Sequence, residues 1–424
     1  MTTSIARTFT FVACAVAGAL ACERAFAAEP EATADTSWVS PSLTYDGAVV
    51  SNARGGLRRG TTYVGNLHLK VTAKGEPAGW TGTTGFADLL TINGGRPGQR
   101  VGDAQGVNNI EGPSGTQIEE LWLQHNFKDS GVSLLAGIYD LNSEFYRLRG
   151  SGLFLNSAFG IGTEFSQGGI EGPSIFPRTS AGVRIAVKPT PTTVLRFALL
   201  DGVPLVRPDG SRALFKGGDG LLGVAEAAFL TRPEDASTDR SGTRDRIGRF
   251  SSVPPYGDKL AVGAWYFSGR FPLVEAGSAD TTPALQRGNS GLYVVGEGSL
   301  LPAQHDSAKQ LAAFFQAGIA DPRTNRFAQR LAAGLVGSGL AGVRAADQAG
   351  IAVTRTINGA DYRRAQLSQG TATWLAETTV EFFYLAQLSN HLTLQPDLQY
   401  VRHPNTNPAI ADAWVLQVHF QLSF

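Results

Sequence analysis

The sequence predicts an all-β chain, and three observations together point to a transmembrane antiparallel β-barrel. These are strict alternation over the last twelve residues, an export-type start after which no cysteine occurs, and strand-like segments joined by unequal connections. Each is weighed in turn.

In Ala413 to Phe424, Trp414, Leu416, Val418, Phe420, Leu422 and Phe424 are apolar, while Gln417, His419, Gln421 and Ser423 between them are polar. Successive side chains of a strand point to opposite faces, so one face of this strand is apolar and the other polar. Two folds accept it. In a soluble sandwich the apolar face meets a second sheet, and in an outer-membrane barrel it meets lipid while the polar face lines a lumen.

The chain opens with Arg7, an apolar run from Phe9 to Cys22 and then Arg24-Ala25-Phe26-Ala27. A basic start, a short apolar core and small residues at 25 and 27 describe a secretory signal peptide over 1–27, cut after Ala27. Leu20-Ala21-Cys22 offers a competing lipoprotein-type site. Both cysteines, Cys14 and Cys22, fall within the signal, so neither a disulfide nor a cysteine-based metal site is expected after export. Residues 28–37 read as a loose polar leader, and 38–424 as one domain.

Lys plus Arg and Asp plus Glu balance at 36 each. Nothing in that balance calls for a nucleic-acid partner. Charged residues make up 17% of the chain, against roughly 25% in soluble domains. Glycine is abundant, at 51 residues, and aromatics reach 9%. Such a composition suits many short strands joined by turns. After the signal no apolar run is long enough for a membrane helix. A chain of this kind enters lipid only as a closed barrel, because an open sheet edge leaves backbone groups unsatisfied there.

Alternation recurs along the chain. Leu43 and Tyr45 alternate with Ser42, Thr44 and Asp46, and Tyr63, Leu67, Leu69 and Val71 with Thr62, Asn66, His68 and Lys70. Leu121 and Leu123 oppose Glu120, Trp122, Gln124 and Asn126; Val183, Ile185 and Val187 oppose Arg184 and Lys188; Leu195, Phe197 and Leu199 oppose Arg196. Leu260 to Phe267, Leu292 to Val295 and Phe314 to Ile319 read less cleanly. Val380, Phe382, Tyr384 and Ala386 oppose Thr379, Glu381 and Gln387, with Phe383 and Leu385 interrupting the polar face. Leu392, Leu394, Leu398 and Tyr400 oppose Thr393, Gln395, Asp397 and Gln399.

Ser389-Asn390 is a tight connection, whereas Arg402 to Asp412 is long. With the carboxy-terminus on the periplasmic side, the long one falls outside, as in outer-membrane barrels. Asn142 to Thr179 and Thr231 to Asp258 break the rhythm. The first, with a short helix expected over Ser151 to Phe159, suits an inward-folding loop, and the second an exposed polar one.

Several strings go further. Ser151-Gly-Leu-Phe-Leu-Asn-Ser-Ala-Phe-Gly160, Gly172-Pro-Ser-Ile-Phe-Pro-Arg178-Thr-Ser180, Lys259-Leu-Ala-Val-Gly-Ala-Trp265-Tyr266 and Leu394-Gln-Pro-Asp-Leu-Gln-Tyr400 closely resemble the carbohydrate-selective porin (OprB) family. Phe197 to Gly202 and Asp140-x-x-Ser143-Glu144-Phe145 add to the likeness, in the order the family shows. The resemblance implies a barrel of 16 strands in the outer membrane of a Gram-negative bacterium. It implies facilitated diffusion of glucose and related mono- or small oligosaccharides through a water-filled channel, with no cofactor. Phe424 resembles the aromatic end that such barrels present to their assembly machinery. Between Ser133 and Asp140 the chain departs from the family, with Leu135 and Ile138 in place of polar or basic residues.

A sugar offers hydroxyls that both donate and accept, plus an apolar ring face, so a selective constriction needs charged or amide groups and an aromatic surface. Strand parity gives Arg58, Glu120, Trp122, Gln124, Arg184, Arg196, Glu381, Asp397, Gln399 and Gln417 as lumen candidates, and Asp140, Glu144 and Arg147 stand at the start of the inward loop. Arginines opposing carboxylates across the pore are expected to set up a transverse field. Tyr63, Tyr139, Trp265, Tyr266 and Trp414 suit an interfacial girdle, and Trp122 suits either place.

Catalytic readings lack support, with no G-x-S-x-G, H-E-x-x-H or Walker-type loop. Adjacent Glu119 and Glu120 are expected on opposite faces, and the six histidines show no metal-ligand spacing. No enzyme activity, metal or cofactor is therefore expected. The competing functions are a general diffusion pore without sugar selectivity and an exported soluble glycan-binding β-protein.

Overall fold

The computed structural model describes residues 38–206, 211–231, 258–274, 284–301, 310–339 and 346–424. The expected signal peptide and leader, and the interior of the Thr231 to Asp258 loop, lie outside them. Among the described residues the strands are β1 (Val39–Gly56), β2 (Gly60–Lys74), β3 (Thr83–Gly94), β4 (Gly115–Phe127), β5 (Val132–Tyr139), β6 (Ser180–Thr190), β7 (Thr193–Asp201) and β8 (Leu221–Leu230). The circuit continues with β9 (Lys259–Pro272), β10 (Leu285–Ser299), β11 (Gln310–Ala320), β12 (Phe327–Ser338), β13 (Gln348–Asn358), β14 (Ala376–Gln387), β15 (Leu392–Arg402) and β16 (Ala411–Ser423). Each pairs antiparallel with its chain neighbours. β1 closes onto β16 in a register that sets Tyr45 opposite Leu422 and Asp46 opposite Gln421, so the sheet is a closed barrel of sixteen strands. Closure removes both free edges.

The alternation of β16 is borne out. Trp414 and Leu416 point outward at 41% and 50% exposure, while Gln417, His419 and Gln421 are buried inside at 2–3%. Leu43, Leu69, Leu121, Leu123, Phe197, Phe229, Val262, Ile319 and Phe382 face outward around the circuit and are similarly exposed. An apolar band encircling the sheet has lipid as its natural solvent.

The interior is filled by two segments that fold in from the end of the barrel opposite Val39 and Phe424. Residues 140–179 join β5 to β6, and residues 95–114 join β3 to β4. The first buries Leu141, Phe145, Phe154, Phe159, Ile161 and Phe165 against wall residues that include Leu135, Trp265, Phe267, Phe314, Phe383 and Leu385. The second buries Val101, Val107 and Ile110 against Ala48, Val50, Val64, Val401, Ala413 and Val415. Wall residues that break polar parity are thereby explained, because they meet protein rather than water. Phe383 stands edge-on to Phe154 at 4.9 Å, and Trp265 stacks on Phe165 at 4.8 Å.

Local geometry differs from expectation at four points. Ser151 to Phe159 is not one helix but two 3-10 turns, Ser151–Leu153 and Ser157–Phe159. Phe154 is extended between them, and the Asn156 side chain accepts from Ala158 N, which starts the second turn. Glu119 and Glu120 both face inward, at 2% and 1% exposure, because the β3–β4 register shifts between Asp88 and Leu89. A bulge inserts one residue and cancels the alternation. Tyr139 and Trp265 are inside at 3% and 2% exposure rather than in a girdle, whereas Tyr63, Tyr266 and Trp414 are outside. The long β8–β9 connection, bounded by Thr231 and Asp258, leaves from the same end as the termini and the short turns at 128–131, 191–192 and 388–391, an exception to the expected asymmetry.

Gly318 shows how closely the inserted segment approaches the wall. A Cβ there would lie 1.8 Å from Glu164 Oε1, at the short helix Thr163–Ser166. Gly318→Ala is expected to displace the buried Glu164 carboxylate from the Tyr146 hydroxyl that donates to it and so lower the thermal midpoint in detergent by several degrees; an unchanged midpoint contradicts this packing.

Candidate functional site in the lumen

The inserted segments meet the opposite wall at a narrow point. Asp46 of β1, Asn66 and His68 of β2, Gln395 of β15 and His419 of β16 face Asn109, Ile110 and Gly152 to Leu155 across a cavity of about 10 Å³. That is room for about one water. A hexose does not fit this cavity as it stands.

The wall side is polar because these strands keep strict parity inward. Gln421 Nε2 donates to Asp46 Oδ1 at 2.9 Å, and His419 Nε2 comes within 3.2 Å of the same oxygen. Across the cavity, Gln395 Nε2 donates to Leu153 O at 2.9 Å and Asn109 Nδ2 to Phe154 O at 2.9 Å. Both amide atoms of Asn66 and the Oε1 of Gln395 are buried without a hydrogen-bond partner. Native interiors rarely leave such groups unmatched. They present a donor and acceptors to the cavity, opposite apolar Leu153, Phe154 and Leu155.

The residues singled out from sequence fall into four groups. Glu381, Asp397, Gln399 and Gln417 lie together on the inner face of β14 to β16, where they hold the inserted segments. Glu381 accepts from Leu155 N at 2.5 Å and Asn156 N at 3.0 Å; Gln399 and Gln417 both donate to Val107 O, at 2.9 and 2.8 Å. Asp397 Oδ1 accepts from both glutamines at 3.2 Å.

Glu120, Trp122 and Gln124 of β4, Arg184 of β6, and Asp140 and Glu144 at the start of the inserted 140–179 segment form a second group. Arg184 donates to Glu144 Oε2 at 2.8 Å and to Gln124 Oε1 at 2.8 Å, Trp122 Nε1 donates to Glu120 Oε2 at 3.0 Å, and Asp140 accepts from Asn142 N at 2.8 Å. Trp122 stacks on Phe86 at 5.1 Å, inside the barrel.

Arg196 is apart, 3.6 Å from Glu226 on the adjacent strand. Arg184 and Arg196 pair with carboxylates beside them, Glu144 and Glu226, rather than across the lumen. Arg58 and Arg147 are exposed and neither borders the narrow point; Arg58 lies in the β1–β2 turn, where its N donates to Arg100 O, and Arg147 donates back to Ser143 O at 2.7 Å.

Sequence reasoning does not single out Asp46, Asn66, His68, Gln395 and His419, although the alternation of β1, β2, β15 and β16 puts them on the polar face. Asn109 and Ile110 had no such signal. Their segment, 95–114, has no strand or helix period and is anchored by Glu377, which accepts from Ala104 N at 2.8 Å and Gln105 N at 3.1 Å. Burial beside Glu377 and Glu111 pushes the Asp103 carboxyl in this segment well above the usual range.

Comparison with known proteins fits this architecture. Residues 58–424 match the family model described as carbohydrate-selective porin, OprB family. The structure of Pseudomonas putida OprB at high pH superposes with a TM-score of 0.77 at 19% identity, over 91% of this chain and 94% of that one. Its low-pH structure gives 0.54 at 14% identity, over 91% and 92%. An anion-selective porin from Comamonas acidovorans gives 0.50 at 10% identity, over 91% and 99%. Among curated proteins none matches. With a closed sixteen-strand barrel, a lipid-compatible outer band and a family match that runs from the first turn to the last residue, the chain belongs to the carbohydrate-selective porin (OprB) family.

Proposed function

We propose that this porin passes glucose-sized sugars and small oligosaccharides down their gradient across the outer membrane, and that the narrow point between the β1/β2/β15/β16 wall and the inserted segments sets its selectivity. The carrying observation is that the unmatched amide of Asn66 and the unmatched Oε1 of Gln395 share a cavity with the apolar Leu153 to Leu155 face. A pyranose presents matching groups, with hydroxyls around its edge and C–H faces above and below. Contacts of this kind are individually weak, which suits a site that must release what it binds. Glu381, Asp397, Gln399 and Gln417 act by positioning the segments. Export by the signal peptide over 1–27, and recognition of Phe424 by the assembly machinery, belong to the same reading.

Ion current through single channels in a planar bilayer tests it. Glucose or maltose is expected to block the current in a saturable way, and Asn66→Leu to weaken that block about tenfold. Current indifferent to sugar indicates a general diffusion pore instead. Block that is unchanged in Asn66→Leu removes the narrow point as the selective element.

A further inference from the structure

The β-bulge that turns Glu119 inward places it beside two residues from neighbouring strands. His68 Nδ1 lies 3.0 Å from Asp88 Oδ2 and 3.6 Å from Glu119 Oε2, and one donor atom from each of the three falls within 4.8 Å of the others. We propose that His68, Asp88 and Glu119 form a divalent transition-metal site on the inner wall of the barrel, suited best to zinc.

Geometry, donor chemistry and burial support it. Ligands held 2.0–2.2 Å from a tetrahedral zinc lie about 3.3 Å from one another, close to the two His68 distances. One imidazole nitrogen with two carboxylates is a borderline donor set, which favours zinc over calcium or magnesium, whose sites are built from oxygen alone. All three side chains are at most 3% exposed.

Lys70, 3% exposed, is the register partner of Asp88 on the same inner face, and a metal ion held here takes His68 as a neutral imidazole ligand. Asn66, buried on the same inner row of β2 with neither amide atom bonded, lines the cavity onto which His68 opens. The ligands come from three adjacent strands, so linear spacing carries no trace of them.

The test uses the full barrel folded in detergent, with zinc as the probe and calcium and magnesium as comparators. Equilibrium dialysis with elemental analysis is expected to give one zinc per barrel at micromolar free metal, and little calcium or magnesium. His68→Asn and Glu119→Gln each lose at least about tenfold in affinity, whereas His391→Gln, at an exposed turn, keeps it. Heat-modifiable migration on a gel shows that each variant is folded. Should one of them fail to assemble, cobalt bound to the unmodified protein gives the strong visible absorption of a four-coordinate N/O site. Absence of saturable zinc binding by the unmodified barrel overturns the assignment, as does zinc binding that survives both substitutions. The site rests on the barrel and its bulge, so loss of sugar block leaves it standing, and absence of zinc leaves the sugar reading standing.

Discussion

Glu381→Ala is expected to raise single-channel conductance several-fold and to weaken sugar block, because this carboxylate holds the tip of the inserted 140–179 segment. It accepts from Leu155 N and Asn156 N, and it is fully buried on β14. Removing it leaves two buried N–H groups without their acceptor, at a cost of about 1–3 kcal/mol each. The wall itself loses little, since the β13–β14 and β14–β15 ladders do not use the side chain.

The cost therefore falls on the docked position of the segment. Relief of crowding with the nearby Asp397 carboxylate offsets part of it, whereas the apolar contacts of Phe154 with Phe159, Phe314 and Phe383 resist release. Limited proteolysis supplies a second measurement. Trypsin is expected to cut at Arg147 or Arg149 faster in the variant than in the parent, while the strands stay resistant. Equal conductance and equal cleavage would mean that the aromatic contacts alone dock the segment.

How far the sequence carries the fold depends on what each residue faces. Strands whose two faces meet lipid and polar groups announce themselves by period two, and β16 reads out residue by residue for that reason. Phe383 and Leu385 look like errors in the pattern until the inserted segment is seen packed against them. Glu119 is misread by parity because a single bulged residue reverses the alternation, and no local composition marks it. Number of strands came from family likeness, since short runs such as Leu292 to Val295 do not separate strand from loop.

The candidate site was legible in part. Lumen-facing character was recoverable for Glu381, Gln399 and Gln417, but their role as anchors depends on Val107, Leu155 and Asn156, which come from segments far away in sequence. Asn66, His68 and His419 stood on faces already known to be polar, yet nothing local ranked them above other wall residues. Proximity across the lumen is set by closure, and closure is a property of the whole circuit. The amide pair at Asn108 and Gln417, 2.8 Å apart, joins two residues that only a closed barrel brings together.

Leu416→Arg is expected to disfavour insertion of the barrel by about 2–4 kcal/mol, the usual cost of a cation on the lipid face near the midplane. Leu416 lies near the middle of β16, 50% exposed and flanked in register by Ser51 of β1 and Leu398 of β15. No carboxylate is its register partner on either side, so the guanidinium must reach toward the headgroups or pull water into the apolar band. The substitution also falls on the strand that closes the barrel, where weakened pairing leaves two open edges in lipid. Gln421→Arg isolates the facing effect. Gln421 is on the same strand but faces inward, with Asp46 Oδ1 2.9 Å from its amide nitrogen, so an arginine there finds a carboxylate instead of hydrocarbon. Equilibrium refolding into lipid vesicles, read by heat-modifiable migration across a urea series, compares the two. A deficit confined to Leu416→Arg is the expected outcome, and equal folding of Leu416→Arg and the parent contradicts the assignment of this row to lipid.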